Sequence, residues 1–160
     1  MGEWLSQFWL GLSGNFRDLA DGGHAGQMVG RAIVAAVLGG ILGYEREQHG
    51  KSAGLRTHML VALTAALFVI IPELAGMTSA DLSRVIQGLA AGIGFLGAGM
   101  IIKHSDQSHV VGLTTAAGLY FTTTVGVAAG MGRAMTAILG TVLALVVLAI
   151  VPRLERRPNG

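Results

Sequence analysis

The stretch Gly92-Ile93-Gly94-Phe95-Leu96-Gly97-Ala98-Gly99 lies inside an apolar run, Val85 to Ile102, long enough to cross a bilayer. Four of its eight residues are glycine. Glycine is a poor helix former in water because it loses the most backbone freedom on folding. In lipid it has another use: with no side chain in the way, helix backbones approach closely and dispersion contacts hold them. The stretch, with Gly88 one turn earlier, therefore predicts the central packing helix of a small membrane bundle.

Composition agrees. Of 160 residues, 52% are apolar and 12% charged, about half the charged share of soluble domains. Mean hydropathy is +0.61. Glycine, 25 residues, follows no Gly-X-Y period, which excludes collagen, and only 3 prolines argue against a disordered Gly/Pro chain. There is no cysteine, so disulfides and thiolate sites are excluded. A net charge of +2, with no basic face interleaved with aromatics, gives no reason to expect nucleic acid as a partner. The first residues do not read as a secretory signal. The expected fold is all-α: about five membrane helices packed through glycine-rich faces.

Outward from the central run, residues 1–25 form an N-terminal segment. Trp4, Phe8 and Leu12 fall at helical spacing, which suits a short helix lying on the membrane surface, and Asn15 to His24 reads as a loop. The membrane domain is read as residues 26–152, followed by a basic cytoplasmic tail, 153–160. Span one is Gly26 to Tyr44, with Gly39 and Gly43 one turn apart. The second apolar run, His58 to Ile71, has 14 residues, short for a span unless it starts near Leu55 with Arg56 reaching back to the headgroups. Ser79 or Asp81 can cap span three. Span four is Val110 to Gly130, whose threonines can bond their own upstream carbonyls, and span five is Ala134 to Val151.

Charge tests the short run. If it crosses, one side carries Arg46, Lys51, Arg56, Lys103, Arg153, Arg156 and Arg157, and the other Arg17, Arg31, Arg84 and Arg133. Positive residues favour the cytoplasm. Five spans with the N-terminus outside and the C-terminus cytoplasmic follow.

No G-x-x-x-x-G-K-[ST], H-E-x-x-H or G-x-S-x-G occurs, so an enzyme is not expected. His104 and His109 are five apart and share no helix face. The candidate site is the polar cluster between spans one and two: Glu45, Arg46, Glu47, Lys51, Arg56 and His58. Glu47 and Lys51 stand at i, i+4, and Arg56 at the membrane boundary is expected to pair with Glu45 or Glu47. The favoured reading is that these charges fix the turn, and the alternative is an ion vestibule or docking surface. Asp81 and Arg84 form an expected pair on the opposite face. Spans without a mid-membrane carboxylate weaken the case for a pore. No cofactor is expected. Magnesium, which favours carboxylate oxygens, has candidates only at the rims.

These residues carry a resemblance. Gly39-x-x-x-Gly43-x-Glu45-Arg46-Glu47, then Lys51-x-Ala53-Gly54-Leu55-Arg56-Thr57-His58-x-Leu60-Val61, resembles the signature of the MgtC/SapB family of bacterial membrane proteins. So do Asp81-x-x-Arg84-Val85-Ile86-Gln87-Gly88, the glycine stretch itself, and Gly112-Leu113-Thr114-Thr115-Ala116-Ala117. The resemblance implies a multi-pass protein of the bacterial inner membrane, linked to growth in low magnesium and, in pathogens, to survival inside host cells. This chain resembles the short form, without the soluble C-terminal domain of longer members. Two functions are compatible with it. One is a regulatory protein acting on membrane partners or membrane potential, with the ATP synthase as the partner the resemblance suggests. The other is a cation transporter or channel for magnesium. Glycine-rich faces lead us to expect a homo-oligomer in either case.

Overall fold

A computed structural model describes residues 2–14, 22–103 and 110–155. Among the described residues there are six helices: α1 (Gly2–Gly14), α2 (Gly22–Gln48), α3 (Leu55–Leu74), α4 (Ser79–Met100), α5 (Leu113–Gly130) and α6 (Ala134–Glu155). Two-residue strands β1 (Ile102–Lys103) and β2 (Val110–Val111) pair antiparallel. His104, His109, Arg17, Arg156, Arg157 and most of the expected loop before His24 lie outside the described residues. The chain divides into two compact units, Met1–Gly30 and Arg31–Gly160.

In the first unit, the helical spacing of Trp4 and Phe8 brings their rings into a stack, with centroids 5.9 Å apart, and Trp9 meets Phe8 edge-on. All three rings are exposed.

The second unit is a helical membrane bundle. Among the described residues four helices are long and apolar enough to cross a bilayer, Gly23–Gln48, Leu55–Leu74, Ser79–Met100 and Ala134–Pro152, against the five spans expected; α5, the expected fourth span, is not one of them. The doubtful second run is therefore a full 20-residue helix, because it begins at Leu55 and carries Pro72 in its last turn. α2 continues to Gln48, so Glu45, Arg46 and Glu47 belong to a helix end, not to the loop. The cap of α4 is Thr78, not Ser79 or Asp81. Its hydroxyl accepts from the Asp81 amide at 3.3 Å while the Asp81 carboxylate accepts from the Thr78 amide at 3.3 Å.

The central position also differs from expectation. α5, with 18 residues, packs against α3, α4 and α6. α4 buries only Ile93 and Gly97. α5 can be central because buried hydroxyls are satisfied within the helix: Thr122 and Thr123 are buried and donate to the Gly118 and Leu119 carbonyls at 2.9 and 3.0 Å. Its close approach to α3 is made by glycines that sequence reading passed over. A Cβ at Gly126 would overlap the Ala62 carbonyl oxygen and stand 2.8 Å from Ala65 Cβ, and one at Gly130 would stand 2.7 Å from the Ala66 carbonyl oxygen. α2 approaches α3 as closely: Gly39 faces Ala62 and the His58 carbonyl, each 2.6 Å from a Cβ placed there, and Gly43 faces Gly54 and Leu55. α3 therefore runs antiparallel to α2 and parallel to α5. Gly97 has one ordinary contact, 3.5 Å to Ala116 Cβ, and Gly88, Gly92, Gly94 and Gly99 have nothing within 4 Å. Within one chain those four do not serve the packing expected of them.

Candidate functional site

Charged side chains of the bundle gather at the two ends of its helices. At one end, Arg31 of α2 donates to Glu73 at the foot of α3 (2.7 Å) and to the Gly130 carbonyl at the end of α5 (3.2 Å). The guanidinium thus neutralises a carboxylate and caps a helix C-terminus at once. Sequence reading gave Arg31 no partner. The signal was available, since antiparallel α2 and α3 place the start of one beside the end of the other. Nearby in sequence to Glu73, Arg84 donates to Asp81 at 2.6 Å, the i, i+3 pair that was expected.

At the other end stands the polar cluster, arranged differently from the reading above. Arg56 is exposed and, among the described residues, joins no ion pair; Lys51 is also exposed and unpaired. Glu45 instead pairs with its neighbour Arg46, whose Nε donates to Glu45 Oε2. Successive helix residues point about 100° apart, so such a pair is not anticipated from spacing. It forms because α2 ends here and Arg46 turns inward, where only 3% of it remains exposed. Its terminal nitrogens form no hydrogen bond with any described residue.

Glu47 has a separate task. Its Oε2 accepts from the Leu55 amide at 2.8 Å, capping α3 where the N-cap residue, Gly54, has no side chain to do so. A Cβ at Gly54 would stand 2.6 Å from that carboxylate oxygen, so a larger residue there would have to displace the Glu47 cap. Glu45 Oε1 lies 3.1 Å from His49 Nδ1, but that nitrogen is better placed on the Glu45 carbonyl at 2.8 Å, and Oε1 has no hydrogen-bond partner among the described residues.

His58, in the first turn of α3, is 1% exposed. Its Nδ1 lies 3.1 Å from the Gly54 carbonyl oxygen, which can only accept. Nδ1 therefore carries the proton, and in the neutral ring Nε2 is a bare acceptor. Nε2 is buried with no hydrogen-bond partner among the described residues, and a Cβ on Gly118 would lie 3.7 Å from it. Arg46 and His58 share a cavity of about 290 Å³ walled by α2, α3, α5 and α6. The remaining lining, apart from Thr114, is apolar. Among the described residues no three histidines or carboxylates come together as a metal site.

Similarity to known proteins fits this arrangement. SrpB of Synechococcus elongatus is 40% identical over 137 residues, covering 79% of this chain and 75% of that protein. YhiD of Escherichia coli K12, whose name proposes a magnesium transporter, is 39% identical over 134 residues, 79% of this chain and 61% of YhiD. Protein MgtC of Brucella abortus is 43% identical over 116 residues, 72% of this chain and 48% of that protein. The chain thus spans about half the length of the Brucella protein. No solved structure matches it. The MgtC family model matches residues 33–157, which takes in the polar cluster at one helix end, Glu73, Asp81 and Arg84 at the other, the tight α2–α3–α5 contacts and the cavity, while Arg31 lies just before the match. This membrane protein belongs to the MgtC family.

Proposed function

We propose that this chain is an inner-membrane protein of magnesium homeostasis that acts on other membrane proteins and does not itself conduct the ion. The family and the names of its MgtC and YhiD relatives support the magnesium link. One observation carries the choice of mechanism. Carboxylates stand at the helix ends, Glu45 and Glu47 at one and Glu73 and Asp81 at the other, while the cavity reaching inward is walled by leucine, valine and phenylalanine. A hydrated divalent cation needs oxygen ligands along its path, and an apolar wall offers none. The uncovered face of α4, with Gly88 and Gly92 one turn apart and open, suits close packing against a helix of a second copy or of a partner.

The test is flux. Purified protein in liposomes loaded with a magnesium-sensitive dye is expected to pass no more magnesium than empty liposomes. Robust flux, lost in a still-folded Glu45→Gln or Glu47→Gln variant, would establish the transporter reading in its place.

The same proposal places the Glu45–His58 end in the cytoplasm, following the Lys/Arg bias. Single cysteines at His49 and at Gly76 report it cleanly, since the chain has none of its own. In intact cells a membrane-impermeant thiol reagent should label position 76 and spare position 49; the reverse pattern means the orientation is inverted.

A further inference from the structure

The cavity beside Arg46 and His58 has a graded lining. Arg46 stands in the last turn of α2, His58 in the first turn of α3 and Thr114 in the first turn of α5, so its polar end lies at the helix ends. Phe121 is about 10 Å further along α5 than Thr114 by helical rise. Leu143 and Val147 of α6 lie inward of that helix's end by a similar count. These three apolar residues are 37%, 54% and 56% exposed, so the cavity opens sideways between α5 and α6, where lipid chains would surround the bundle. A water-filled site of this kind would leave that apolar wall wet. A dry one would leave Arg46 and His58 short of partners, each such group costing free energy in a low-dielectric setting.

The polar groups left over are specific in kind. Arg46 contributes donors, its terminal guanidinium nitrogens, in the planar fork that matches a phosphate. His58 contributes an acceptor, Nε2, nine-tenths buried and more. The Arg46–Glu45 contact is made through Nε, and among the described residues the fork has no other partner.

We propose that this cavity binds one membrane phospholipid, its phosphate on the Arg46 fork, a headgroup hydroxyl or primary ammonium donating to His58 Nε2, and an acyl chain along Phe121, Leu143 and Val147. The required chemistry is an anionic phosphate, a headgroup hydrogen-bond donor and an apolar tail in one molecule. Phosphatidylglycerol and phosphatidylethanolamine have all three. Phosphatidylcholine lacks the donor, and glycerol phosphate lacks the tail. The inference does not depend on whether the protein regulates or transports.

The experiment is a titration of delipidated protein in detergent, read by native mass spectrometry and by thermal melting. The probes are short-chain phosphatidylglycerol, phosphatidylethanolamine, phosphatidylcholine and free glycerol phosphate. One lipid per chain is expected, with the first two binding about tenfold or more tighter than phosphatidylcholine, as an unsatisfied buried acceptor requires. Arg46→Gln should weaken phosphatidylglycerol by about tenfold or more. Because that change also takes Glu45's partner, Ala117→Phe provides a second variant. It fills the cavity from α5 without touching the ion pair, and should abolish lipid binding while the unliganded protein melts as before. Equal binding of phosphatidylcholine would overturn the donor assignment. Binding of glycerol phosphate as tight as the lipid would mean a free-anion site. Undiminished binding by Ala117→Phe would remove the cavity from the proposal altogether.

Discussion

Gly126→Leu is expected to cost at least about 3 kcal/mol, the upper end for side chains forced into a packed core, and to lower the monodisperse yield in detergent sharply. The reason is what the new side chain would strike. Its Cβ would overlap the Ala62 carbonyl oxygen and lie 2.9 Å from Ala62 Cα, so the obstacle is α3 backbone and not the end of a flexible chain. α3 is also held by α2, where Cβ atoms at Gly39 and Gly43 would stand 2.6 Å from the His58 carbonyl oxygen and 2.8 Å from Leu55 Cα, so a shift of α3 away from α5 would disturb a second tight contact. Gly92→Leu is the matched control. Nothing lies within 4 Å of a Cβ there, so the stability of the single chain should change by no more than about 0.5 kcal/mol. Thermal melting of both variants in one detergent decides it. Equal losses from the two would mean that α4 packs as closely as α5 and that α5 is not the sole packing centre.

Arg46→Leu should be the most damaging change among the charged residues, at about 3 kcal/mol or more. It strands the Glu45 carboxylate, whose side chain is only 15% exposed and whose Oε1 already lacks a hydrogen-bond partner. Arg56→Ala, at an exposed position without an ion pair, should stay within about 0.5 kcal/mol. Changing both members, Glu45→Leu with Arg46→Leu, should recover part of the loss, since no charge is then left buried alone. The measurement is again the melting temperature of purified variants. A loss from Arg56→Ala matching that from Arg46→Leu would show that the boundary arginine is the structural one.

Much was determined by the sequence alone. Apolar runs of spanning length, few charges and no cysteine lead directly to a helical membrane bundle, because in lipid every backbone group must be paired within its own segment. The ordered motifs from Gly39 to Ala117 were enough to identify the family. The pairing of Asp81 with Arg84, and the threonine hydroxyls that bond upstream carbonyls, were also legible, since both are local on one helix. What the sequence could not determine depends on which helix meets which. Glycines are denser before residue 100 than after it, which draws attention to α4, yet nothing local distinguishes Gly92, which faces open space, from Gly126, which is pressed against a carbonyl. Nor does spacing show that Arg46 turns inward and Arg56 outward, for both stand near a membrane boundary. That choice was made by the end of α2 packing over the first turn of α3. There the close contact at Gly43 puts His58 and Arg46 beside one cavity and leaves Arg56 outside it.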